Sequence, residues 1–193
     1  VDYSGPALDV RRSGTLAAPR RITSQEIVMA TAKKTTRTRS AAGKPKDATA
    51  LLKADHQAVN ALFEQYEKAR STAKKGRLVA QICRELTVHA QIEEEIFYPA
   101  FKQALKDKEL VPEATVEHDT LKFLIGQIEG IEPDGELFDA KVKVLSEYVK
   151  HHVKEEQGEI FPKAKSSKLD LAALGERLAE RKAELLALQP ALA

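Results

Sequence analysis

His89-Ala90-Gln91-Ile92-Glu93, matched 63 residues later by His152-Val153-Lys154-Glu155-Glu156, is the stretch that decides how this chain is read. Each string sets an imidazole and a carboxylate one helical turn apart, and in each a proline follows ten residues after the histidine, at Pro99 and Pro162. Each is also preceded by a lone histidine beside an acid. Asp55-His56 lies 33 residues before His89, and Glu117-His118 lies 34 before His152. Four of the five histidines therefore form two copies of one unit, His-x(32 or 33)-His-x3-Glu. An internal repeat of metal-capable residues points to a site that two half-bundles share.

Working outward, each of these residues falls on an apolar stripe with helical period. Leu52, His56, Val59, Phe63 and Tyr66 recur at spacings of four and three after Asp47 or Thr49, either of which can cap a first helix. A second helix is predicted over about 76–108 with the stripe Ile82, Leu86, His89, Glu93, Ile96 and Ala100. Pro99 removes a backbone donor there, so a kink or break is expected near Phe97-Tyr98-Pro99. Pro112 opens a third helix with Glu113 in its first turn and the stripe Ala114, His118, Leu121, Ile125 and Ile128. Gly130, Pro133 and Gly135 mark the next turn. The fourth helix carries Leu145, Val149, His152, Glu156 and Ile160 and ends or bends near Pro162. The fold class expected is all-α, a four-helix bundle over residues 48–165.

The flanks read differently. Residues 1–47 are rich in Gly, Pro, Ser, Thr, Arg and Lys without a sustained apolar period, the pattern of a disordered basic arm. Within it Met29, the only methionine, precedes Ala-Thr-Ala-Lys-Lys and reads as a natural start, which would make the 28 residues before it an upstream extension. Residues 166–193 carry an amphipathic helix with Leu171, Leu174, Leu178 and Leu185. Those leucines need a partner, either the outside of the bundle or a second chain in a homo-oligomer.

Composition narrows the function classes. The overall charge of +2 combines an arm of ten Lys or Arg against four Asp or Glu in residues 1–50 with a remainder of 21 against 25, a net of −4. The folded part offers no footprint for a phosphate backbone, so no specific nucleic-acid partner is expected. No run of about 20 apolar residues exists to span a membrane. The single cysteine, Cys83, excludes an intrachain disulfide and makes the reducing cytoplasm the expected compartment.

Aligning the stripes sets His56, His89 with Glu93, His118, and His152 with Glu156 at comparable depth. Buried carboxylates need neutralising partners, and cations supply them. Imidazole nitrogens with carboxylate oxygens suit iron better than calcium, which takes oxygen alone. A carboxylate can span two metals where an imidazole binds one. His56 and His89 would then cap one non-haem iron and His118 and His152 the other, with Glu93 and Glu156 bridging beside an oxo or hydroxo ligand. His151 with Glu155 matches the same spacing, but the phase of Leu145, Val149 and Ile160 selects His152 and Glu156. Glu94, Glu95, Glu155 and Glu159 are expected in solvent or orienting imidazole N–H groups. Asp55 and Glu117 are expected on the outer face or as caps, Cys83 as a buried inert thiol, and Tyr66 and Tyr98 as ordinary packing.

These motifs resemble the hemerythrin-like family, specifically the bacterial HHE cation-binding domains. The similarity covers about residues 50–165 and rests on Lys-Ala-Asp-His56, His89-Ala-Gln-Ile-Glu93-Glu-Glu-Ile-Phe-Tyr-Pro99, Glu117-His118-Asp and His152-Val-Lys-Glu-Glu156-Gln-Gly-Glu-Ile-Phe-Pro162. The resemblance implies an up-down-up-down bundle holding an oxo- or hydroxo-bridged di-iron pair on the same six residues. The oxygen-carrying hemerythrins have a fifth histidine one turn after that of the third helix, where this chain has Lys122. They also use an aspartate five residues after the last histidine, where this chain offers Glu156 at four. The expected function is binding of dioxygen or a related small oxidant, diatomic or peroxide, for sensing, detoxification or iron handling. The alternatives are a catalase-like, peroxidase-like or nitric-oxide-reducing enzyme, and a metal-stabilised structural or interaction module.

Overall fold

The computed structural model describes residues 47–188, which are all-helical. The arm expected over residues 1–47, and the start expected at Met29, lie outside the described residues except for Asp47. Asp47 caps the first helix, α1 (Ala48–Lys68): its Oδ1 accepts from the Ala50 N–H at 2.9 Å and the Thr49 hydroxyl at 2.8 Å. Ser71 caps α2 (Thr72–Ile92), so this helix starts one turn before the expected Gly76. Gly76 lies inside it because tertiary packing overrides a modest local preference.

Beyond Ile92 the chain does not leave the helix at Pro99. It widens into one π-helical turn, Glu93–Phe97, and resumes as α3 (Tyr98–Leu105). The Tyr98 N–H donates to the Glu93 carbonyl five residues back, and this wider turn admits the proline ring without ending the helix. The second repeat does the same. α5 (Phe138–Glu155) passes through the π turn Glu156–Ile160 into α6 (Phe161–Ser166), and the Phe161 N–H donates to the Glu156 carbonyl. Between them runs α4 (Leu110–Glu129), whose first turn is capped by Asp107 Oδ2 accepting from the Val111 N–H at 2.8 Å.

These segments form an up-down-up-down bundle in which the two π turns begin at the two inward glutamates. Two apolar clusters fill it. One, toward the α1–α2 and α4–α5 connections, contains Phe63, Ile82, Leu121, Ile125, Phe138 and Leu145. The other contains Leu52, Ile92, Phe97, Phe101, Phe161 and Leu178. The buried polar residues include all six expected site residues. The last helix, α7 (Leu171–Leu188), packs on α1 and α2 and buries Leu174, Leu178 and Leu185 in the second cluster. The leucine face thus finds its partner on its own bundle, with each buried leucine contributing roughly 1.5–3 kcal/mol. Among the described residues no helix is long and apolar enough to cross a membrane.

Candidate metal centre

The repeat brings its polar residues into one volume. His56 Nε2 lies 2.9 Å from His89 Nε2, and His118 Nε2 lies 3.2 Å from His152 Nε2. Glu93 stands between the halves, its Oε2 3.3 Å from His89 Nε2 and 3.5 Å from His118 Nε2. Glu156 Oε2 lies 3.3 Å from His56 Nε2. Two groups of potential ligand atoms result, His56–His89–Glu93–Glu156 and Glu93–His118–His152, with Glu93 common to both. His151 is excluded from this volume: its side chain is 60% exposed, against 5% for His152.

Three imidazoles are hydrogen-bonded from behind at Nδ1, and the fourth, His89, faces a carboxylate there at a longer distance, in a pattern that repeats with the sequence. Glu117 Oε2 lies 2.8 Å from His152 Nδ1, and Asp55 Oδ2 lies 3.6 Å from His89 Nδ1. These are the acids that precede His118 and His56. Expected on the outer face or as caps, both instead face an imidazole of the centre, and Glu117 orients His152 by a hydrogen bond. Glu94 Oε1 is 2.9 Å from His118 Nδ1, and Gln157 Nε2 is 3.0 Å from His56 Nδ1. Glu94 and Gln157 each follow the inward glutamate of their repeat. A carboxylate at Nδ1 fixes the N–H there and leaves Nε2 with a lone pair. In His118 and His152 two such lone pairs face each other, an arrangement that repels unless a proton or a metal ion lies between them.

Further charges brace this shell. Lys122 donates to both Glu94 oxygens at 2.7 Å, and Lys182 of α7 lies 2.8 Å from Asp55 Oδ1. Lys122, at the place of the missing fifth histidine, is half exposed and acts through Glu94.

Tyr98 is the main residue that the sequence reading left as packing. Its ring is buried, and its hydroxyl donates to Glu156 Oε1 at 3.3 Å and lies 3.4 Å from His118 Nε2. The π turn causes this, since it brings a residue five positions after Glu93 onto the inner face. The equivalent residue after Glu156 is Phe161, whose ring stacks on His56 at 5.9 Å. The two halves of the centre therefore differ in this hydroxyl as well as in Glu94 against Gln157. Tyr66, by contrast, bonds Asp139, and Cys83 is fully buried with its thiol pushed up to about 12 by burial and Glu129.

Electrostatics show that the donors suit a cation. Burial holds His89 down to about 4 against the pull of Asp55, and burial with the neighbouring His152 does the same to His118, so both imidazoles are neutral. Burial also lowers His152, but Glu117 and Glu156 outweigh it and hold it above its ordinary value. Glu93 is raised by burial and by Glu156. Burial raises Glu156 as well, but His56 and the other imidazoles outweigh it and bring it down to about 2. Both Glu93 oxygens and Glu156 Oε2 are buried without a hydrogen-bond partner. Orphaned carboxylate oxygens among imidazole lone pairs fit divalent or trivalent cations and disfavour an empty core.

Residues 47–164 match the Hemerythrin HHE cation binding domain family. The chain belongs to this family. A crystal structure of a hemerythrin HHE cation-binding domain-containing protein from Mycobacterium kansasii shares the fold, with a TM-score of 0.65 at 22% identity, covering 74% of this chain and 88% of that one. A DNA nickase of Nostoc sp. is 31% identical over 111 residues, 58% of this chain. The chain spans 31% of that protein's length, so the similarity concerns a part of the nickase. In this hemerythrin-like chain the clustered histidines and glutamates form a candidate di-metal centre.

Proposed function

We propose that this chain is a non-haem di-iron protein that binds dioxygen or a related small oxidant, with His56, His89, Glu93, His118, His152 and Glu156 as its metal ligands. The observation that carries this reading is Glu93, a buried carboxylate with both oxygens unpartnered and imidazole nitrogens of both halves within 3.5 Å. Mixed nitrogen and oxygen donors favour iron over calcium or magnesium. Two irons bound there would supply a redox couple and open coordination positions.

The surrounding residues limit what could reach such a pair. A cavity of about 20 Å³ lies against His56, His89, His118 and His152, closed by Val59, Leu86, Leu121, Val149 and Val153. That volume suits one water-sized molecule and excludes an organic substrate. Its hydrocarbon wall keeps bulk water from a bound oxidant. Burial and Glu93 raise the pKa of Tyr98 well above its ordinary range, so its hydroxyl, which donates to Glu156 Oε1 in the metal-free chain, would act toward a ligand beside Glu156 as a hydrogen-bond donor and not as an acid. This favours holding an oxidant over turning it over.

The test is metal analysis of aerobically purified protein with its near-ultraviolet and visible spectrum, followed by titration with azide as a small anionic probe. About two irons per chain and an azide-dependent charge-transfer band are expected. A colourless, metal-free and stably folded protein that takes up no iron would overturn the reading.

A further inference from the structure

A second cavity, of about 40 Å³, opens on the other side of His152, between the start of α4 and the second π turn. Its lining includes five carboxylates, Glu113, Glu117, Glu155, Glu156 and Glu159, together with His152. Resting on the di-metal reading above, we propose that this acidic vestibule is the route by which ferrous iron reaches the centre, with His151, Glu117 and Glu155 as a capture site at its mouth.

Three observations carry the proposal. Glu156 lies on the vestibule wall, is 1% exposed, and has an Oε2 with no hydrogen-bond partner, so the vestibule ends on an unsatisfied carboxylate of the centre itself. At the surface, exposed His151 Nε2 lies 3.3 Å from Glu117 Oε1 and 3.2 Å from Glu155 Oε1, three potential ligand atoms within 4.8 Å of one another. Glu117 joins the two places, because its other oxygen is 2.8 Å from His152 Nδ1. A metal ion can thus pass from the surface to the core without leaving carboxylate oxygen.

The cavity on the imidazole side has a different lining. Apart from the imidazoles, that cavity is lined by valine, leucine and alanine side chains and a single carboxylate, Asp55, which Lys182 already pairs, so a hydrated dication would lose water there with few replacement donors. The vestibule offers carboxylates at each stage. A cleft lined by one sign of charge raises the local concentration of the opposite ion and its association rate by about 10- to 1,000-fold. Lys163 lies 3.8 Å from Glu159, and among the described residues no lysine or arginine pairs with Glu113 or Glu155. On this proposal the fold separates two sides of the centre, an acidic one for metal and a largely hydrocarbon one for the small oxidant.

Anaerobic stopped-flow loading of the full-length metal-free protein with ferrous iron tests this. Tyrosine fluorescence would follow the rate, and end-point metal analysis the stoichiometry. His151→Ala with Glu155→Gln, and separately Glu113→Gln with Glu159→Gln, should slow loading about tenfold, flatten its dependence on ionic strength and leave the final stoichiometry unchanged. Glu129→Gln with Glu132→Gln, the same charge change as Glu113→Gln with Glu159→Gln but in exposed residues at the α4–α5 turn, should load like the wild type. The route is overturned if the vestibule variants load as fast as the wild type, if the control pair slows equally, or if final stoichiometry falls with the rate. A wild-type protein that takes up no iron would instead fail the di-metal reading and take this one with it.

Discussion

Glu93 has no exposed surface, neither of its oxygens accepts a hydrogen bond, and burial with Glu156 nearby raises its pKa. In the metal-free chain it is a cost, since an unsatisfied buried polar group is worth about 1–3 kcal/mol. Replacing it with methionine, close in length, should therefore raise the stability of the chelator-treated protein by about 1–3 kcal/mol while metal binding falls below one ion per chain. Urea unfolding and metal analysis check the two halves of this prediction, and lower metal-free stability would show that Glu93 is satisfied in a way the geometry does not suggest. Tyr98→Phe is gentler, because the other half already uses Phe161 at that place. Metal stoichiometry should stay unchanged, while azide affinity weakens about fivefold for the loss of one hydrogen bond of about 1 kcal/mol. An unchanged affinity would remove the hydroxyl from ligand binding. The six inward residues were legible in the sequence because helical period alone puts them on one face. Tyr98, Asp55, Glu117 and Gln157 were not. Tyr98 lies off the 3.6-residue period and is brought inward by the π turn, and the other three act from neighbouring helices, which no single-helix pattern displays.

At the level of the element, the caps at Asp47 and Ser71 and the stripes set helix positions, while the expectation of a kink or break at Pro99 and of an end or bend at Pro162 did not include the π turns that carry the helix past both. A chain can stay helical past a proline by widening one turn, and the cost is local. That choice follows from tertiary demand, because ending the helix would remove Phe97 and Phe101 from the second cluster. The glycines give a sharper test of how the elements are supported. Gly126 sits inside α4 with nothing within 4 Å of where a Cβ would be, so Gly126→Ala should stabilise by about 0.5–1 kcal/mol. Gly76, inside α2, would place its Cβ 3.0 Å from Pro133 Cγ, so Gly76→Ala should gain nothing or lose stability as the turn after α4 shifts. Chemical denaturation of the two variants decides it, and an equal gain in both would mean that the α2–turn packing is looser than the contact implies.

On the scale of the whole molecule, two apolar clusters are joined by a buried layer of four imidazoles and two carboxylates. The clusters satisfy the ordinary requirement of a fold, whereas the layer between them works against it unless cations are bound. α7 reinforces the side of this layer formed by α1 and α2: Lys182 holds Asp55, Arg181 bonds Glu95, and Arg84 donates to the Leu186 carbonyl at 2.8 Å. The leucine pattern showed that α7 needed a partner but could not say which, because an amphipathic face is equally suited to its own bundle or to another chain. Chelation should consequently leave the helices formed while lowering the unfolding temperature. At a free metal concentration about 1,000 times Kd, binding contributes roughly 4 kcal/mol. For a domain of this size each kcal/mol moves the unfolding temperature by about 2–4 °C, so a fall of about 10 °C is expected on removal. Circular dichroism of stripped and reloaded protein, followed through thermal unfolding, measures both quantities. Loss of helicity on chelation would make the metal a folding requirement, and an unchanged unfolding temperature would mean that the polar layer is satisfied without it.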